Sequence, residues 1–194
     1  GLIVRDKPLR VANGIYREII PRELTWARQQ TLTQQPAWYI NPDNSLNMEK
    51  LLTDFQRFFR QNADAWIERF DYKESGPQLL LQAFLQRVVN GGGYIDREYG
   101  LGRGRTDLLI RKPLTEHYGG PIQHVVLELK IKRASLQATI RQGLEQISDY
   151  MDRCPAGAEG HFIVFNRDKS ATWSKKIWHR RKEHRGRVIT VWGM

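Results

Sequence analysis

The chain has a single cysteine, Cys154, in 194 residues. One thiol excludes an internal disulfide and a cysteine-based zinc site. Histidine is sparse too: His117, His124, His161, His179 and His184 are scattered, with no metal-binding spacing. There is no Walker-type phosphate loop. Gly100, Gly102 and Gly104 lie between two apolar runs, with no helix after them, and so predict a tight hairpin. No apolar run approaches the length of a membrane span, and no secretory signal is visible, so the cytoplasm is the expected compartment and no membrane is expected as a partner. The sequence opens on Gly1 without a Met, which reads as a missing N-terminal portion. Acid is scarce as well. There are 31 Lys and Arg against 21 Asp and Glu, a net charge of +10. Such a surplus favours polyanions, nucleic acid first, although basic surfaces also arise without that role. Hydrophobic content of 40% and charged content of 27% describe a globular chain long enough for one domain with a full core.

What is present reads as a series of short elements. Residues 1–25 predict two strands around an Asp6-Lys7-Pro8 turn, then a helix from about Ile15. Residues 26–46 are irregular, with a short strand at Trp38–Ile40. Residues 47–70 are helical, because Leu51, Leu52, Phe55, Phe58, Phe59, Trp66, Ile67 and Phe70 recur at three- and four-residue spacings. A further helix follows Pro77. Strands are expected at 94–101, 105–110, 125–132, 161–166 and 188–192, with a helix over 136–153 and another over 171–184. The order predicts an α/β fold with a mixed β-sheet flanked by helices. Its first three strands form a meander, and a helical crossover leads to a parallel fourth.

The chemistry concentrates between Arg103 and Lys130. Period two places Asp107 with Leu109 on one face of its strand, and Glu128 with Lys130 on one face of the next. Burying unpaired charge in such apolar strands costs several kcal/mol. Asp107 and Glu128 suit a hard divalent cation held by oxygen ligands, Mg²⁺ or Mn²⁺. Such an ion polarises a phosphate and lowers the pKa of a bound water, while Lys130 positions that water or stabilises developing charge. The alternative for these three charges is a buried pair with no catalytic task.

These residues and the order of elements resemble the PD-(D/E)xK nuclease superfamily, which has a restriction-endonuclease-like core of helix, three strands, helix, strand. Asp107, Glu128 and Lys130 fit its signature, and Gln146-Ile-Ser-Asp-Tyr150 fits the Gln-x-x-x-Tyr that some members add. The resemblance implies that Gln146 and Tyr150 orient Lys130, the metal water or the scissile phosphate. Thr106 replaces the usual Pro. The first helix offers Gln78, Gln82 and Gln86 where many members carry Glu, so Glu98 becomes the third metal-ligand candidate. Longer strings, among them residues 1–24, 84–110 and the terminal VWGM, resemble the C-terminal part of bacterial AAA-type ATPase-like proteins. That resemblance implies a winged-helix remnant at 1–25, a loop and helical linker region at 26–70 and a nuclease-like domain at 71–194, with the N-terminal ATPase portion missing. The expected activity is Mg²⁺-dependent DNA hydrolysis, and the alternative is a catalytically silent DNA-binding or protein-interaction module of that ATPase. Arg103, Arg105, Lys175, Lys176, Arg180 and Arg181 are expected to contact phosphates, with Lys182, Arg185 and Arg187 beside them. The plain alternative for this run is a solvated helix face. A homo-oligomer is compatible with the sequence.

Overall fold

The computed structural model describes residues 3–4, 10–11, 38–67, 75–89, 92–101, 104–115, 119–133, 135–168 and 170–194. The chain divides into two compact units, Gly1–Trp38 and Tyr39–Met194. In the first unit, β1 (Ile3–Val4) and β2 (Arg10–Val11) pair antiparallel, as the Asp6-Lys7-Pro8 turn predicts. The helix expected from Ile15 lies outside the described residues.

In the second unit, α1 (Met48–Ile67) begins where the Asn47 side chain accepts the Lys50 amide, at 2.9 Å. α2 (Ser75–Val89) precedes a meander of β3 (Tyr94–Leu101), β4 (Gly104–Pro113) and β5 (Ile122–Ile131). Then come α3 (Leu136–Met151), β6 (Glu159–Phe165), the short α4 (Trp173–Lys176), β7 (Trp178–His184) and β8 (Arg187–Gly193). The six strands β3 to β8 form one mixed sheet in the order β3-β4-β5-β6-β8-β7. β3, β4 and β5 are antiparallel neighbours, β5, β6 and β8 run parallel, and β7 closes the edge antiparallel to β8. The α/β class, the meander and the parallel crossover through α3 agree with the sequence expectation. Among the described residues no helix is long and apolar enough to cross a membrane.

Alternation decides which face each strand gives to which helix. Leu108, Ile110, Val125, Leu127, Leu129, Ile163 and Trp192 point to one face, where Leu51, Leu52, Phe55 and Phe59 of α1 and Leu81, Phe84 and Leu85 of α2 cover them. Phe55 meets Phe84 at 5.3 Å, and Phe59 meets Phe165 at 5.4 Å. Phe55, Phe58 and Phe59 of α1 are therefore core packing. Leu109, Val126, Phe162, Val164, Ile189 and Val191 point to the other face, under Leu144, Ile147, Tyr150 and Met151 of α3. Gly143 lets α3 sit directly on Phe162, because a Cβ there would overlap the outer edge of the Phe162 ring.

The segment 171–184 is not one helix. Only Trp173–Lys176 is helical, and Trp178–His184 is a strand whose middle residues are exposed. Arg185 and Gly186, with φ of 50° and 70°, join it to β8 as a two-residue hairpin turn. Such a turn needs positive φ at both positions and commits the flanking chain to extended pairing.

Candidate active site

Asp107 and Glu128 come together because of register. Leu108 pairs with Leu127 and Leu109 with Val126, so one further step brings Asp107 opposite Glu128. Both lie on the face covered by α3, as does Lys130, which is level with Val164. The Leu129 amide donates to Asp107 Oδ2 at 2.8 Å. Gln78, at the start of α2, is buried and donates to the Asp107 main-chain carbonyl at 3.3 Å. The helix that lacks a Glu thus still supports the site, through an amide. Asp107 is therefore held at its carboxylate by β5 and at its main chain by α2.

Glu128 is the stressed group. It is 2% exposed, and its Oε2 has no hydrogen-bond partner. Its Oε1 lies 3.7 Å from Lys130 Nζ. Burial pushes its carboxyl up to about 8, and the neighbouring Asp107 charge adds to the rise; Lys130 and the Asp107 main chain pull the other way. One lysine does not balance the buried Glu128 carboxylate and the half-buried Asp107 beside it. A divalent cation held by the two carboxylates would offset that charge.

The donor set bears on which ion fits. Among the described residues no group of three or more His, Cys, Asp or Glu converges. Two carboxylates suit Mg²⁺ or Mn²⁺, which retain several waters and take further oxygens from a phosphate substrate. They do not suit a closed zinc site, which needs four protein ligands. The Glu98 side chain, the third candidate, lies outside the described residues, as do Arg103 and the side chain of Arg105.

Gln146 and Tyr150 are joined to each other on α3, with Gln146 Nε2 donating to the Tyr150 hydroxyl at 2.9 Å. Tyr150 is buried in the core between α3 and the sheet, on the face that holds the carboxylates.

The basic run does not form one surface. Arg180 pairs with Val191 and faces the α3 side, with its guanidinium 5.3 Å from the Trp178 ring. Arg181 faces the other side and reaches Glu49 of α1 at 3.3 Å. Arg185 bridges Glu145 and Asp149, and Arg187 pairs with Asp152 at 2.9 Å. β7 is three strand spacings from β5, about 14 Å. Lys176 is buried under the Trp173 ring at 5.2 Å, and Lys175 is exposed. The helix expected over 171–184 gives way over Trp178–His184 to an edge strand, whose side chains alternate between faces.

Two features are absent from the sequence pattern, one in the site and one across the sheet from it. The Leu129 amide is the unnamed middle of Glu-x-Lys, and only the strand pairing reveals its role. His161 was assigned no task. It is buried, accepts the Trp192 indole N–H on Nδ1 at 3.1 Å and donates from Nε2 to Glu159 at 2.8 Å. That chain lies on the α1 face, across the sheet from Glu128.

No protein-family model matches the chain. Neither a curated protein nor a solved structure shows significant similarity to it.

Proposed function

We propose that this chain is a metal-dependent nuclease domain that hydrolyses DNA phosphodiester bonds, built on a restriction-endonuclease-like core. The observation that carries the reading is Asp107 opposite Glu128, with an unpartnered buried oxygen on Glu128 and Lys130 alongside. Mg²⁺ or Mn²⁺ held by these two carboxylates supplies a polarised phosphate oxygen and a bound water of lowered pKa. The chain's own residues do the rest. The Leu129 amide fixes the Asp107 carboxylate, and Gln78 fixes the Asp107 main chain. Lys130 is 18% exposed, buried enough to hold its geometry and open enough to meet an attacking water or a developing oxyanion. The order helix, three strands, helix, strand from Ser75 to Phe165 supports the superfamily resemblance. On the resemblance of the longer strings, the domain serves as the C-terminal part of an AAA-ATPase-like protein.

One observation favours a second reading, a catalytically silent DNA-binding module. Only two carboxylates converge among the described residues, and burial favours the neutral form of one of them. Plasmid incubated with Mg²⁺ or Mn²⁺ separates the two. Nicking by wild type that Asp107→Ala and Lys130→Ala both abolish is the expected result. Binding without nicking under every divalent ion tried would leave the silent module.

A further inference from the structure

The chain leaves β5 and β6 on opposite faces. After β5 it enters α3, which covers one face. After β6 it enters the segment of Trp173, which packs against Phe59 on the other. In open α/β sheets, ligands are received outside the carboxyl ends of strands whose connections part in this way. Lys130 stands at that end of β5, two residues from Lys132. The Lys132 amide donates to the Phe165 carbonyl at 2.9 Å, which locks the end of β5 to the end of β6.

Positive charge collects there. Past β6, the Asp168 carboxylate accepts the Ser170 amide at 2.9 Å and the Ser170 hydroxyl at 2.6 Å. These bonds hold it below the ordinary carboxylate range, with the Lys132 and Lys176 charges adding to the effect. Held by its own turn, Asp168 sets one negative charge against the three lysines Lys132, Lys175 and Lys176. Lys175 is exposed beside Lys176, and the first turn of α3, just beyond Lys132, carries no acidic residue. Arg181 of β7 is committed to α1, and Arg185 of the turn and Arg187 of β8 are committed to α3.

We propose that Lys132 and Lys175, on the chain that leaves the carboxyl ends of β5 and β6, form the track that grips the backbone of double-stranded DNA beside the Asp107–Glu128 pair, with the buried Lys176 supplying fixed charge behind them. This deepens the nuclease reading by placing the substrate's path across the strand ends and away from β7. An acidic protein partner is the competing occupant, and salt dependence on a DNA probe discriminates against it.

The test is fluorescence anisotropy with a short labelled duplex, in EDTA, across a series of salt concentrations. Lys132→Ala/Lys175→Ala should weaken binding about tenfold at low salt and reduce the slope of log affinity against log salt by about 2. Arg180→Ala/Arg181→Ala should change affinity less than about twofold, because Arg181 is already paired. Circular dichroism of both variants should match wild type, since no buried side chain is altered. Unchanged affinity and slope in the lysine variant, an equal loss in the arginine variant, or no duplex binding by wild type would each overturn the proposal. Because no divalent ion is present, binding through these lysines without any plasmid nicking sinks the nuclease reading and leaves this one standing.

Discussion

The sharpest expectation concerns Glu128 and pH. Replacing Glu128 by Gln keeps its shape and removes its titration. In the folded chain the carboxyl is pushed from an ordinary 4.5 up to about 8, by burial first and by Asp107 second. The folded state therefore binds more protons than the unfolded state between those values, and stability falls as pH rises through that window. Below the unfolded value Glu128 contributes no penalty; above about pH 8 the penalty is complete. At about 1.4 kcal/mol for each pH unit, the ceiling is about 5 kcal/mol. Urea unfolding in EDTA at intervals from acid to mildly alkaline pH measures it. The difference between wild type and Glu128→Gln cancels the titrating groups that do not interact with Glu128 and leaves its coupled set with Asp107 and Lys130. Wild type should equal the variant near pH 4.5 and fall behind it steadily toward pH 8. Added Mg²⁺ at pH 8 should restore wild type by RT ln(1 + [Mg²⁺]/Kd) and leave Glu128→Gln nearly unmoved. A difference that stays flat with pH, or that grows in favour of wild type, refutes the account of Glu128 as a strained carboxyl awaiting a cation.

Three further outcomes follow from packing and pairing. Gly143→Ala should cost about 1–3 kcal/mol by forcing α3 off Phe162, and Phe162→Leu in the same background should recover part of it; urea midpoints with unchanged slopes report both. His161→Ala should cost about 3 kcal/mol, since it strands the buried Trp192 N–H and opens a cavity; thermal unfolding with near-ultraviolet circular dichroism follows it. Arg185→Ala should cost under about 1 kcal/mol, because its two carboxylate partners are half-exposed, and that cost should vanish at high salt.

The readable parts of the fold were those where burial and periodicity agree. β4 and β5 alternate between two cores, so Leu108 and Ile110 separate from Leu109, and the same parity places Asp107 with Glu128. α3 was legible because Leu136, Ile140, Leu144, Ile147 and Met151 repeat at helical spacing and meet one face of the sheet. β7 was not legible. WHRRKEH is nearly all polar, since the strand is an exposed edge with one neighbour, and the spacing of Trp173, Ile177 and Trp178 mimics a helix. The deciding signal was the Arg185-Gly186 pair, which suits a hairpin turn and not the middle of a helix. The support from Leu129 and Gln78 was hidden for another reason. Main-chain hydrogen bonds depend on register between strands, and nothing in a side-chain pattern records them.

One topological detail bears on how the chain tolerates being shortened. β8 follows β7 in sequence yet sits inside the sheet, between β6 and β7. A truncation before Arg187 removes an interior strand, not a margin. It bares the ladder of Phe162, Ile163 and Val164 along β6 and leaves β7 with nothing to pair against. A mostly apolar edge of that kind templates cross-chain association. Fragments ending in the β7–β8 turn should therefore collect in inclusion bodies, however well the rest of the sheet has formed.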